Sequence, residues 1–329
     1  MNEASAIDPE LARTQRYLPW VVAVALFMQQ LDSTIVNTAV PTMALSLGVE
    51  SLSLKSVLTS YTIAIAVFIP MSGWLADRFG TKRVFGFAVL TFTLGSLACG
   101  LSMNVPMLVV SRILQGIGAA FMMPVGRIAL LRTFPKSGIL RAMNFVIIPA
   151  LLGPLLGPLM GGLIVHWMPW RMIFLINLPF GVLGLWLVKR HMPDHRGTDC
   201  DPLDKSGFLL FGSGIALLSW VLEIFGEHPT NPVMVGVSGT LALLLLAGYA
   251  WHARRAKSPL LAVGLFRNRT FRISVVGGFV TRLGISGMPF LLPLLYQLGM
   301  GFSPWMAGLL VMPQAIAAIG MKLLVQRIL

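Results

Sequence analysis

Two charged side chains lie inside stretches that are otherwise apolar. In FMQQLDSTIVNTAVP the carboxylate of Asp32 falls near the middle of the run Leu18–Val40, and in SRILQGIGAAF the guanidinium of Arg112 falls within Met107–Leu130. An ionisable group at bilayer depth costs about 2.5–3.5 kcal/mol on insertion scales, so it needs a partner and points to function. A guanidinium keeps its proton at any working pH, which leaves Asp32 as the member able to exchange one. A direct pair, or a relay through water, would explain why both charges are tolerated and would give Asp32 a protonation equilibrium sensitive to its neighbours. The structural alternative is a static ion pair that joins two helices. Gln29, Gln30 and Asn37 share the first run and Gln115 the fourth; with Arg282, the remaining deep charge, they are candidate substrate contacts. Arg282 would meet an anionic substrate or an acid across a cavity, or serve as an interhelical hydrogen-bond partner.

These groups need membrane-spanning elements to hold them. The chain of 329 residues is 56% hydrophobic and 11% charged, with a mean hydropathy of +0.80, which excludes a soluble domain with a polar shell. Ten apolar runs recur: Leu18–Val40, Val57–Leu75, Val84–Leu101, Met107–Leu130, Met143–Val165, Met172–Val188, Phe208–Phe225, Val233–Trp251, Val275–Leu298 and Met306–Val325. Each is long enough for a helix to cross roughly 30 Å of hydrocarbon, and none shows the ten-residue alternation of a β-barrel strand. The expectation is an all-α polytopic membrane protein whose surroundings are the lipid bilayer.

A formal net charge of +13 raises the question of nucleic acid. Placement answers it. The loops on one side hold Arg78, Lys82, Arg83, Arg132, Lys136, Arg254, Arg255 and Lys257, among others, whereas the other side keeps only Lys55 and Arg171. That is the positive-inside pattern, and it sets both termini in the cytoplasm with no nucleic-acid partner. Cys99 and Cys200 fall at opposite ends of the spans and should be unable to pair.

The runs group as six, two and two. The expected organisation is a segment 1–17, a six-helix bundle 18–188, a loop 189–207, two linker helices 208–251, a loop 252–274, and two helices of a second bundle, 275–329. Between the second and third runs stands GWLADRFGTKR, where Gly73 and Gly80 permit close contact and a turn, Asp77 can accept hydrogen bonds or face a helix N-terminus, and Arg78, Lys82 and Arg83 hold the loop inside. The fifth run carries GPLLGPLMGG. There Gly153, Gly157 and Gly161 recur every four residues on one face, while Pro154 and Pro158 free backbone carbonyls and allow bending, so a packing face with a hinge is expected rather than packing or dimerisation alone. HMPDH sets His191 and His195 at a metal-like spacing, but Pro193 interrupts a helix there and no metal is assigned. No phosphate-binding loop and no activated nucleophile appear, so neither ATP nor enzyme chemistry is expected.

Taken in order, LDSTIVNTAVP, GWLADRFGTKR, RILQGIGAA, GPLLGPLMGG and WRMIFLINLPFG resemble the motifs of the major facilitator superfamily, specifically its fourteen-span drug:proton antiporter branch. The resemblance implies a multi-pass protein of the bacterial cytoplasmic membrane that exports small amphiphilic compounds in exchange for protons, with protons as coupling ion and no cofactor. It implies proton coupling at Asp32 and Arg112, and a hinge at Gly157, Pro158, Gly161 and Gly162. It also implies a latch in which Asp77 meets a helix of the second half. Members of that branch continue for four more helices, so the chain is expected to be C-terminally incomplete. The readings that compete with export of amphiphiles are a transport-inactive membrane fragment or assembly partner, and an exporter of an organic anion or metal chelate. Oligomeric state is left open.

Overall fold

The computed structural model describes residues 9–198, 200–224, 232–285 and 287–328. Residues 1–8 of the N-terminal segment 1–17 and the terminal Leu329 lie outside the described residues. Among those described, all regular structure is helical, and nine helical stretches are long and apolar enough to cross a membrane. The tenth run lies in a further helix, Pro304–Ile328.

The first six runs become α1 (Pro9–Leu47), α2 with α3 (Lys55–Phe68 and Ser72–Phe79), α4 (Thr81–Gly100), α5 (Val105–Thr133), α6 (Lys136–Trp167), and α7 with α8 (Met172–Leu175 and Asn177–His191). Several exceed the apolar run that marks them. α1 begins nine residues before Leu18 and ends seven after Val40, because the polar flanks RTQRY and the segment to Leu47 carry no strong helix breaker beyond Pro41. The second span is broken by a short 3₁₀ turn, Ile69–Met71, where Pro70 has no N–H to give to the helical ladder. α5 starts cleanly: the Asn104 side chain accepts a hydrogen bond from the Met107 N–H at 2.9 Å, satisfying one of the orphan donors of the first turn.

Small residues let these helices approach closely. A methyl group at Gly118 on α5 would lie 2.5 Å from the Phe92 nitrogen of α4, and one at Gly95 on α4 would lie 2.6 Å from the Gln115 nitrogen of α5. Gly116 meets the Tyr61 carbonyl of α2 in the same way, at 2.6 Å. In a bilayer, where hydrophobic burial does not drive helices together, such backbone-to-backbone approach is a main source of association. Phe85, Phe92, Met28 and Met122 fill the core between α1, α4 and α5.

α9 (Lys205–Ile224) and α10 (Pro232–Arg255) pair with one another, and α9 leans on α2, where Phe68 and Phe208 meet at 5.7 Å. α11 (Arg269–Ile285) has no buried residue among those described. α12 (Met288–Leu294) continues through one π turn, Leu295–Gly299. α13, Pro304–Ile328, lies against α6.

The α4–α5 crossing yields a direct expectation. Gly118→Val should cost about 2–3 kcal/mol of stability, because its Cβ meets backbone rather than a flexible side chain. Thermal unfolding in detergent measures this, and an unchanged midpoint would contradict the close crossing.

Candidate functional site

The four helices α1, α2, α5 and α8 converge on Asp32. Its Oδ2 accepts from Arg112 Nη1 at 2.7 Å. Its Oδ1 accepts twice, from Gln115 Nε2 at 2.8 Å and from Asn177 Nδ2 at 2.8 Å. Arg112 and Gln115 lie three residues apart on α5, so helical geometry puts both on one face and aims both at the same carboxylate. Arg112 Nη1 also donates to Gln115 Oε1 at 2.7 Å, and its Nε reaches the Val57 carbonyl at 3.3 Å. The guanidinium carbon stands 4.1 Å from the centroid of the Tyr61 ring, a cation–π contact. Asp32 is 0% and Arg112 1% exposed, so the pair is desolvated and its charges are compensated by this shell.

Asn177 is the member that sequence reasoning missed. It opens α8 just past the break after α7, fully buried, and its Nδ2 also donates to Ser96 Oγ at 3.0 Å. The signal was present in WRMIFLINLPFG as a lone amide in an apolar stretch. Three buried polar atoms at or near the pair, Asn177 Oδ1, Gln29 Oε1 and Tyr61 Oη, have no hydrogen-bond partner among the described residues.

The other candidate substrate contacts are dispersed. Asn37 is buried two helical turns below Gln30 on α1, and Gln30 packs its Cβ against Gly153. Arg282 is exposed on α11 and takes no part in the hydrogen bonds to Asp32 or Arg112.

The fifth-run motif lies between two packed neighbours. Gly153, Gly157 and Gly161 of α6 face Gln30, Thr34 and Thr38 of α1 in matched steps of four. The Thr34 hydroxyl donates across this seam to the Gly153 carbonyl at 3.3 Å. On another face, Gly162 packs on Pro304 and Trp305, and Gly308 of α13 packs on the Pro158 carbonyl. Pro154 sits in the same stretch of α6, inside the helix. Both faces are therefore occupied within this chain.

At the basic end of the bundle the loop Gly73–Arg83 is covered by the segment after α8. Gly80, at φ +93°, ends α3 and opens α4, and a side chain there would collide with Asp194. Thr81 N donates to the His195 carbonyl at 3.0 Å, Thr81 Oγ1 to the Pro193 carbonyl at 2.9 Å, and Gly197 N to the Asp77 carbonyl at 3.1 Å. Asp77 accepts from Arg132 Nη2 of α5 at 2.5 Å, a contact within the same half of the chain. Arg78 and Arg83 are exposed, Lys82 half-buried. The two histidines engage separately: His191 stacks on Tyr17 with ring centroids 4.4 Å apart, and His195 Nε2 pairs with Thr133 Oγ1 at 2.9 Å. Among the described residues no cluster of three metal-ligating side chains occurs. Cys99 and Cys200 are both unpaired.

The sequence profile of the Major Facilitator Superfamily matches residues 22–329. The chain is 42% identical over 94% of its length to a Serratia proteamaculans protein named "Putative multidrug resistance protein MdtD", and covers 65% of that relative. It is 43% identical over 97% of its length to the Cronobacter sakazakii protein of the same name, covering 68% of it. The chain thus spans about two thirds of the length of the curated relatives it matches. Among solved structures, the POT family transporter PepTSo superposes on 94% of this chain with a TM-score of 0.64 at 18% identity, covering 68% of that transporter. A D-xylose-proton symporter superposes on 94% with a TM-score of 0.61 at 14% identity, covering 67%. Both place the helices in the same fold.

Two outcomes follow from the geometry. Arg112→Leu should lower stability by about 3–5 kcal/mol, because it strands a buried carboxylate. Adding Asp32→Asn should recover much of that loss, a non-additivity that thermal unfolding of the four members of a double-mutant cycle measures. At the covering segment, burial and then the nearby Arg132 hold the His195 imidazole below its ordinary range, against the opposing pull of Asp194. The docked segment therefore favours neutral His195. Docking should be constant above about pH 6.5 and weaken on acidification below it. Hydrogen exchange at residues 193–198 across pH should show this, and His195→Gln should flatten the profile.

Proposed function

The chain belongs to the Major Facilitator Superfamily, a family of membrane transporters, and from that premise we propose that it serves a proton-coupled antiporter exporting small amphiphilic compounds from the cytoplasm. The observation that carries this reading is the fully buried Asp32–Arg112 pair inside a membrane-spanning bundle. An ion pair of that burial is hard to justify by stability alone, since well-packed apolar residues of equal volume do as well or better.

In the proposed cycle Asp32 takes up a proton when its side of the bundle opens outward and releases it inward, while Arg112 supplies the fixed charge that returns the carboxylate to its ionised form. Protonation removes half of the pair and turns one carboxylate oxygen into a donor that needs an acceptor. Asn177 Oδ1, buried and without a partner, becomes that acceptor if the amide turns over. Because α1 carries both Asp32 and the residues that face the α6 glycines, a change at the carboxylate reaches the seam with α13 through two packed interfaces. Alternating access places the substrate near the midplane between two repeated halves. In this reading residues 18–188 form one half, 208–251 a linker pair and 275–329 the opening helices of the other. Gly73–Arg83 then acts as the cytoplasmic latch, and the Gly153–Gly162 stretch as the hinge.

Asp32→Asn should abolish proton-driven export of a lipophilic cation from proteoliposomes while leaving membrane insertion intact, at a cost in stability from the stranded Arg112 guanidinium that the amide only partly offsets. Full transport by this variant would remove Asp32 from the coupling mechanism.

A further inference from the structure

A cavity of about 410 Å³ opens at the basic end of the bundle, away from the Asp32 network, and shares only Lys82 with the Gly73–Arg83 loop. Arg13 of α1, Lys82 from the first turn of α4, and Arg190 and His191 from the last turn of α8 line it, with Glu10 as its acid. Among the described residues, two guanidinium groups and one ammonium stand against one carboxylate, a net positive lining. The ion pairs of the described residues join Asp32 to Arg112, Asp77 to Arg132, Asp194 to Arg196 and Asp204 to His252. None of them draws on Arg13, Lys82 or Arg190.

The surroundings say what kind of anion fits. Tyr17 stacks on His191 at the cavity wall, and Trp20 and Trp186 lie one turn or so deeper on the same two helices, 51% and 58% exposed. Tyr and Trp at one level mark the boundary between headgroups and hydrocarbon. Val182, four residues before Trp186 and so on the same face of α8, is also exposed. An anion seated among Arg13, Lys82 and Arg190 would therefore have an apolar track running from it into the bilayer. A free phosphate would use the cations alone; a two-tailed phosphodiester would use both.

We propose that this cavity is a binding site for the phosphate of an anionic phospholipid, with an acyl chain laid along Trp186 and Val182. Basic pockets between membrane helices are suited to such headgroups, each nearby cation adding attraction that salt screens. The bound phosphate would tie α1, α4 and α8 together beside the Gly73–Arg83 loop. This site does not depend on the transport reading, since it rests on charge and aromatic placement alone.

The test is native mass spectrometry of the full chain titrated with dioleoylphosphatidylglycerol or dioleoylphosphatidylcholine, in the presence and absence of inorganic phosphate. Phosphatidylglycerol should bind at least about tenfold tighter than phosphatidylcholine, and millimolar inorganic phosphate should not displace it. Arg190→Gln, at an exposed side chain, should weaken phosphatidylglycerol about fivefold, and Arg13→Gln, Lys82→Gln and Arg190→Gln together by about a hundredfold. The charge-keeping pair Arg13→Lys and Arg190→Lys should hold most of the affinity, and Arg254→Gln with Arg255→Gln, at another basic site, should leave it unchanged. Equal binding of the two lipids, or retention of phosphatidylglycerol by both the single and the triple variant, would overturn the proposal. Displacement by inorganic phosphate at matching affinity would overturn the lipid source and assign the cavity to a free anion.

Discussion

A carboxylate and a guanidinium buried together inside a hydrocarbon-spanning bundle constrain everything around them. Neither tolerates the site without the other, and neither is satisfied by one partner alone. The surrounding helices supply what remains: Gln115 from the same helix as Arg112, Asn177 from the opening turn of α8, the Val57 carbonyl and the Tyr61 ring from α2. The break before α8 belongs to this arrangement, because it brings the Asn177 side chain to Asp32 at the start of a helix. A polar cluster bonded in this way fixes the register of four helices at once, which apolar packing among Leu and Ala does only loosely.

The close crossings serve the same end. Gly95 and Gly118 bring α4 and α5 to backbone contact within one turn of Gln115, and Gly116 brings α2 against α5 beside Arg112. At the basic end the cover over Gly73–Arg83 is held by backbone hydrogen bonds together with the Thr81 and Thr133 hydroxyls, with Gly80 leaving room for Asp194. Buried charge, close-packed glycines and a backbone-bonded cover thus form a stack along the bundle. By contrast α11 presents exposed apolar side chains on all described sides.

What the sequence made legible follows from how local each signal is. The helical bundle was readable because runs such as Val84–Leu101 match the thickness of hydrocarbon, a constraint that acts on consecutive residues. The meeting of Asp32 with Arg112 was approachable because deep charges are few and must compensate one another. Asn177 was missed because a neutral amide in an apolar helix carries no comparable demand, and its partner is 145 residues away. The cover formed by residues 193–197 was invisible for a different reason: nearly every one of its bonds has a backbone group at one end or both, which every sequence supplies alike. The Asp77–Arg132 pair was not foreseen: the resemblance spoke only for a partner in the second half, and nothing in the local sequence brings Arg132 of α5 back to α3. The ends of α1 were underestimated because a helix continues into polar flanks wherever nothing stops it.

The seam between α1 and α6 has one further property. Its rungs are evenly spaced on both rails: glycines at 153, 157 and 161 against Gln30, Thr34 and Thr38. An evenly spaced ladder has more than one good register. Sliding one rail by four residues, about 6 Å at 1.5 Å per residue, re-forms two of the three rungs with the same kinds of partner. By spacing alone, such a seam would resist small displacements and accept whole-turn ones, in the manner of a detent in a sliding bolt. Since the same α1 segment holds Asp32, each stop of such a bolt would set a different alignment of the carboxylate with α6.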